Sequence, residues 1–419
     1  MTEANRRNFL KGGAAAVATG MAGCVGSLTG GGSDKLKLGA VQPLTGFIAR
    51  MGNVGKEAQD VWVKHVNEQG GVEVNGSKRE VDLIVYDDEL KSEKTRSLAK
   101  KLATTDNVAG IIAAWSTSGA LAMQSVVEDN ELPTIATAQT VKINHPGSYM
   151  LRIIPSTAGD PYPLLKGVAS ARDDITSLGV LGREGNASQD MRDFVDYWTK
   201  NVDTSLGWKD LGTFPFGQDD FSSFISKAKN MHANGEIDAL LMYVTGGNAI
   251  NFLTQAERNG LNDEMPILMP SAMTDFTEIS KIGAGLKNVH AASSYRPLNY
   301  LDNPDVKQNV PQSGIDALKE YKSLGGPEDP IGYIHFIQAR MMADAITDAG
   351  STDGPAIRDH LVGKTRSTVV GDMTLNDSGQ AALPSMVVTF TTGSSLGIDS
   401  VEWHGTIPPI TNIPPETQL

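Results

Sequence analysis

From residue 36 onward, short apolar runs alternate with stretches in which apolar residues recur every three or four positions. The first pattern suits strands buried on both faces, and the second suits helices that bury one stripe. The run over 108–114 is the clearest strand. It breaks at Trp115 into Ser116-Thr117-Ser118-Gly119, after which Leu121, Ala122, Ser125 and Val126 keep helical spacing. A strand that breaks into such a turn and opens a helix gathers unpaired backbone N–H groups at one point, a seat for a carboxylate or another anion. The bland reading is that the same hydroxyls only cap the helix.

The rest of the chain repeats this alternation. Strands are expected over 36–41, 81–85, 133–138 and 149–154, with helices starting near Val54 and Ser92 and a hairpin turn at Asn75-Gly76. A second series follows, with strands over 178–181, 211–214, 238–244, 267–269 and 289–292. Its helices are expected over 189–200, 221–233, 249–259 and 276–282. Helices over 313–324, 331–349 and 355–362 precede strands over 387–390 and near Val401. Two successive β/α series predict an α/β protein of two doubly wound parallel-sheet lobes.

The first 24 residues read differently. Arg6-Arg7 precedes a short run of Gly, Ala and Val that ends in Met21-Ala22-Gly23-Cys24. This is the layout of an export signal. The block resembles a twin-arginine signal over 1–23, followed by a lipobox whose Cys24 carries the lipid anchor. Cys24 is the only cysteine, so no intrachain disulfide can form, and the glycine-rich stretch over 24–34 reads as a tether. No later apolar run reaches the length of a membrane span, which leaves the lipid as the expected contact with the membrane.

A net charge of −13 argues against a nucleic-acid partner. The seven histidines lack metal-ligand spacing, and no phosphate-binding glycine motif is present. The Ser116 turn lacks the flanking glycines of a nucleophile elbow. Asp87-Asp88-Glu89 sits at a strand end, where neighbouring side chains diverge, so a solvated end is expected rather than a metal site. No enzyme, metal or cofactor is expected.

Several stretches together carry a resemblance. Val41-Gln-Pro-Leu-Thr-Gly46, Asn67-Glu-Gln-Gly-Gly71, Val85-Tyr-Asp-Asp88, Trp115-Ser-Thr-Ser118, Leu132-Pro-Thr-Ile135, Leu151-Arg-Ile-Ile-Pro155 and Gln255-Ala-Glu-Arg-Asn-Gly-Leu261 follow one another in order. With the Gly-Leu-Lys-Asn-Val289 turn they resemble the leucine/isoleucine/valine-binding type of periplasmic binding protein over 36–392. The resemblance implies a type I fold: two lobes joined by a three-segment hinge, with crossings near 153–157, 293–297 and 371–375. Lobe I is then expected over 35–154 and 296–372, lobe II over 155–295 and 373–404, with an irregular tail over 405–419.

The resemblance also implies ligand groups. Ser116, with Thr117 beside it, matches the turn that takes a ligand carboxylate, while the Ala138 carbonyl and Thr140 hydroxyl match groups on its polar end. Trp115 could supply an apolar wall. The aromatics that close over the ligand in that family correspond to Met51, Ala187 and Thr245. The acid that pairs with a ligand ammonium corresponds to Ser271, with Glu184 and Asp275 nearby. Departures at these positions make a small polar organic solute the safer class than a branched-chain amino acid. The implied role is an extracytoplasmic, monomeric solute receptor that delivers its ligand to ABC permease subunits. A ligand-sensing receptor of the same fold coupled to a signalling partner is the alternative.

Overall fold

Strand β1 (Leu36–Gln42) is followed by helix α1 (Ala49–Glu68) and by a hairpin of β2 (Val72–Val74) and β3 (Ser77–Arg79). The series continues with β4 (Val81–Asp87), α2 (Ser92–Lys101), β5 (Ile111–Ala114), α3 (Thr117–Asp129), β6 (Thr134–Ala136) and β7 (Met150–Arg152). The computed structural model describes residues 35–46, 48–215, 217–244, 247–270, 282–294, 304–391 and 397–407. The first sheet is parallel with the order β4-β1-β5-β6-β7. All four residues of β5 are buried, as a strand covered on both faces by helices requires.

The second lobe repeats the plan. It holds the one-turn α4 (Tyr162–Leu164), β8 (Ser177–Arg183), α5 (Asn186–Asn201), β9 (Gly207–Phe214), α6 (Ser222–Ala233) and β10 (Ala239–Tyr243). Then come α7 (Gly247–Arg258), β11 (Ile267–Met269) and β12 (Val289–Ser293). The expected 276–282 helix falls almost wholly outside the described residues. The sheet order is β16-β15-β12-β11-β10-β8-β9, with β15 (Leu383–Thr391) and β16 (Gly397–Ile407) antiparallel at one edge. In each sheet the strand order reverses beside the first strand, between β1 and β5 and between β8 and β10. Such reversals open a crevice at the carboxyl ends of the strands.

Helix Pro330–Ala349 is the spine of the first lobe, with most of its 20 residues buried. Asp329 caps its start by accepting the Ile331 amide at 2.9 Å, and Gly350 ends it in the left-handed conformation at φ 59°. Its Tyr333, Phe336, Ile337, Met341 and Met342 share one buried cluster with Leu36, Leu38, Trp62 and Ile112. Each such side chain contributes roughly 1.5–3 kcal/mol by leaving water.

The third crossing lies later than the sequence suggested. Gly371–Thr374 (β14) pairs with Thr365–Thr368 (β13) in a two-stranded hairpin. Val369, Val370, Met373 and Leu375 join the first lobe's core, so this hairpin belongs there. The passage follows Gln380, which bridges Arg152, and is complete in β15. The expected tail also begins early, because residues 405–407 still belong to β16.

Candidate functional site

The two reversals face one another across a cavity of about 490 Å³. From the first lobe come Ile48 and Met51 at the start of α1, Leu90, and the turn Trp115–Ser118 at the end of β5. Ile331 and Ile334 of the spine helix add apolar wall. Ile154, Pro155 and Ser294 contribute from two crossings. The second lobe supplies the segment 183–187 after β8 and Tyr243 at the end of β10.

Local chemistry sets each wall. The Asp87 carboxylate accepts the Thr45 hydroxyl at 2.6 Å and the Leu44 and Glu89 amides at 3.0 and 2.9 Å. Burial would raise its pKa, but these bonds together outweigh it and hold Asp87 below the usual carboxylate range. They also fasten the loop that carries Ile48 and Met51. Asp88 accepts the Leu90 amide and the Thr95 hydroxyl at the start of α2. Both acids therefore shape turns, and among the described residues no cluster of three His, Cys, Asp or Glu side chains is placed to hold a metal.

Ser116 is a helix cap that also lines the cavity. At φ −89° and ψ 144° it is the N-cap of α3, and its Oγ accepts the Gly119 amide at 2.9 Å. Its hydroxyl proton is left for a group in the cavity it lines. Thr117 and Ser118 occupy the first two helical positions, where amides have no intrahelical acceptor. Gly119 allows the fold here, since a Cβ would lie 2.5 Å from Ser116 Oγ and 2.8 Å from Thr95 Oγ1.

Trp115 stacks on His335, with ring centroids 5.3 Å apart and planes 16° from parallel. His335 is fully buried, and its Nδ1 faces the Ile331 carbonyl at 2.9 Å. Burial lowers its pKa to about 4 against the partial compensation of that bond, so the ring is neutral at pH 7. The neutral ring backs Trp115 from behind.

The segment after β6 turns the opposite way from the one expected. Thr137 and Gln139 line the cavity, whereas Ala138 and Thr140 are buried away from it. Side chains alternate along extended backbone, so a slip of one residue exchanges the two sets. The Ala138 and Thr140 carbonyls lie 3.4 and 2.6 Å from Arg152 Nη1. Thr140 Oγ1 donates to Asp190 Oδ2 at 2.6 Å, and Asp190 also accepts the Val141 amide at 3.1 Å. Burial raises the Asp190 pKa, and these hydrogen bonds oppose the rise. Arg152 is itself fully buried, which lowers its pKa to about 9, partly offset by Asp190 and Asp160.

The second lobe meets this segment through a hydrogen-bonded chain. Tyr243 Oη donates to Gln139 Oε1 at 2.8 Å, and Gln139 Nε2 donates to Asp160 Oδ2 at 2.8 Å. Burial pushes the Tyr243 hydroxyl well above its usual pKa, so it stays protonated.

Of the residues singled out from the sequence, Met51, Trp115, Ser116, Thr117, Glu184 and Ala187 line one cavity. Ala138 and Thr140 do not. Cys24, Thr245, Ser271 and Asp275 lie outside the described residues. Sequence reasoning missed Gln139, Arg183, Tyr243 and the Ile331–Ile334 face. Tyr243 closes an apolar strand, just as Trp115 follows one, and that position was the available signal.

Comparison with known proteins agrees with this architecture. The periplasmic binding protein family model matches residues 35–394, and a twin-arginine translocation signal model matches residues 3–23. A Leu/Ile/Val-binding protein homologue of Brucella abortus (strain 2308) is 22% identical over 356 residues, covering 78% of this chain and 81% of that protein. Among solved structures, an ABC transporter substrate-binding protein from Sphaerobacter thermophilus superposes with TM-score 0.74 at 18% identity, over 90% of this chain and 100% of the other. The branched-chain amino acid transporter substrate-binding protein of Streptococcus pneumoniae, in complex with isoleucine, gives 0.71 at 16% identity, over 88% and 99%. A solute-binding protein of an ABC transporter from R. palustris, in complex with 4-hydroxybenzoate, gives 0.73 at 15% identity, over 90% and 98%. The twin-arginine signal marks the chain for export from the cytoplasm. With two facing sheets, a cleft between them and a family match over most of its length, the chain belongs to the periplasmic binding protein family, whose members bind solutes rather than catalyse reactions.

Proposed function

We propose that this chain is the solute-binding component of an ABC uptake transporter, held outside the cytoplasm by lipid on Cys24, and that it captures a small organic carboxylate by lobe closure. One observation carries the ligand class: the open N-terminus of α3, with the Thr117 and Ser118 amides and the Ser116 hydroxyl, points into a cavity with largely apolar walls. Amides at a helix start favour an anion, and the Trp115, Met51, Ile331 and Ile334 side chains favour an apolar body behind it. The ligands of the structural relatives, isoleucine and 4-hydroxybenzoate, are both carboxylates of this kind. The partner implied is a membrane permease, with the protein acting as a monomer.

Thermal shift against a panel of amino acids, benzoate derivatives, amides and urea tests the reading. A true ligand at 100 times its dissociation constant adds about 2.7 kcal/mol of stability. Stabilisation confined to carboxylates supports the assignment, and stabilisation by urea or amides alone removes it.

A further inference from the structure

The chain of hydrogen bonds Tyr243–Gln139–Asp160 has a fixed direction. Asp160 is buried at 1% exposure, and its Oδ2 accepts a proton of the Gln139 amide. Gln139 therefore turns its NH₂ to Asp160 and its carbonyl to Tyr243, at 2.8 Å each. That carbonyl has no proton to give, so the Tyr243 hydroxyl donates to it. The lone pairs of Tyr243 Oη and the second lone pair of Gln139 Oε1 are then what this wall presents, and both residues line the cavity. At these two atoms the wall accepts hydrogen bonds.

The anion seat at Ser116–Ser118 has the reverse character, because its groups are donors. Tyr243 belongs to the second lobe and the anion seat to the first, so a molecule that pairs with both has a reason to hold the lobes together. Arg183 lines the cavity on the Tyr243 side and acts electrostatically on Tyr243. A cation there opposes an ammonium and leaves a neutral hydroxyl as the better donor.

We propose that Tyr243 is a specificity-determining acceptor, oriented by Gln139 and Asp160, and that it selects carboxylates bearing a hydroxyl away from the carboxyl end. This rests on the carboxylate reading of the cavity given above. A site built to pair a hydroxyl discriminates against the analogue lacking it, because its own polar groups are left unpaired.

The test is calorimetric titration of the intact, folded protein with 3- and 4-hydroxybenzoate, benzoate, 4-methoxybenzoate and isoleucine. At least one hydroxybenzoate should bind about tenfold or more tighter than benzoate. 4-Methoxybenzoate, which can only accept, should bind no better than benzoate. Tyr243→Phe should erase the preference, so that hydroxybenzoates and benzoate bind that variant within about threefold of one another. Gln139→Leu frees the Tyr243 proton and should narrow the gap between the hydroxy and methoxy acids, which keeps the idea testable if Tyr243→Phe folds poorly. Equal binding of benzoate and both hydroxybenzoates, a preference that survives both substitutions, or tighter binding of isoleucine than of any hydroxy acid would each overturn the proposal while leaving the carboxylate reading intact. If no carboxylate binds, the carboxylate reading fails and this proposal falls with it.

Discussion

The Thr140 hydroxyl donates to the Asp190 carboxylate at 2.6 Å, joining the segment after β6 of one lobe to helix α5 of the other. Val141, next in the chain, lies in the same buried cluster as Ala187 and Met191 of the second lobe. Thr140 thus works at the junction of the lobes. Thr140→Val should lower the melting temperature, since a hydrogen bond to a charged group contributes about 1.5–3 kcal/mol. Ligand affinity should stay within about threefold, whereas Gln139→Leu should weaken it more than that. Apo melting curves beside calorimetric titration check both; a Thr140→Val affinity loss exceeding that of Gln139→Leu would return Thr140 to the binding site.

Ser116 holds a helix cap and a place in the cavity at once, so its loss should register twice. Ser116→Ala is expected to cost about 1 kcal/mol of apo stability through the cap. It should also reduce carboxylate affinity by about tenfold through the missing donor. An unchanged dissociation constant with a lowered apo melting temperature would leave Ser116 a cap alone.

His335 makes acid stability a local question. Its pKa falls from the ordinary 6.5 to about 4 through burial. Between those values the unfolded chain holds a proton that the folded ring refuses, so the stability tied to neutral His335 is present above pH 6.5 and lost as the pH falls. The slope from this one group is at most about 1.4 kcal/mol per pH unit. His335→Gln keeps a donor for the Ile331 carbonyl and does not titrate. Melting curves at pH 7 and pH 4.5 should therefore show a smaller acid loss in the variant than in the parent.

Gly55 fixes the same ring from the other side, since a Cβ there would lie 2.7 Å from His335 Nε2. Gly55→Ala should destabilise by about 1–3 kcal/mol through overpacking. It should also disturb the fluorescence of Trp115, which stacks on that ring. A variant with parental melting and emission would show that the ring has room to move.

Anchoring is tested at Cys24. Cys24→Ser should leave the protein folded and exported but release it from the membrane, which cell fractionation reads directly. A mutant that still pellets with membranes would end the lipoprotein reading.

The alternation of apolar runs and helical stripes gave away the two β/α series, because burial of a strand on both faces or of a helix on one imposes its own period on a sequence. The Trp115–Ser118 turn was legible for a similar reason: the break in pattern and the helix start occur within a few residues of each other. The choice between Thr137/Gln139 and Ala138/Thr140 was not. Both sets alternate equally well along a short extended segment, and the Arg152 guanidinium, holding the Ala138 and Thr140 carbonyls, decides which set faces the cavity. The Gly371–Thr374 hairpin tells the same lesson, for its local sequence suits a crossing, and only the packing of Val369 and Met373 into the first core assigns it to a lobe. Tyr243 lies 104 positions from Gln139, and the two meet only because the sheets turn their carboxyl ends toward each other. Local period determined the elements of this protein; the direction of its hydrogen bonds, and with it the character of the cavity, was decided by contacts between residues that no local period connects.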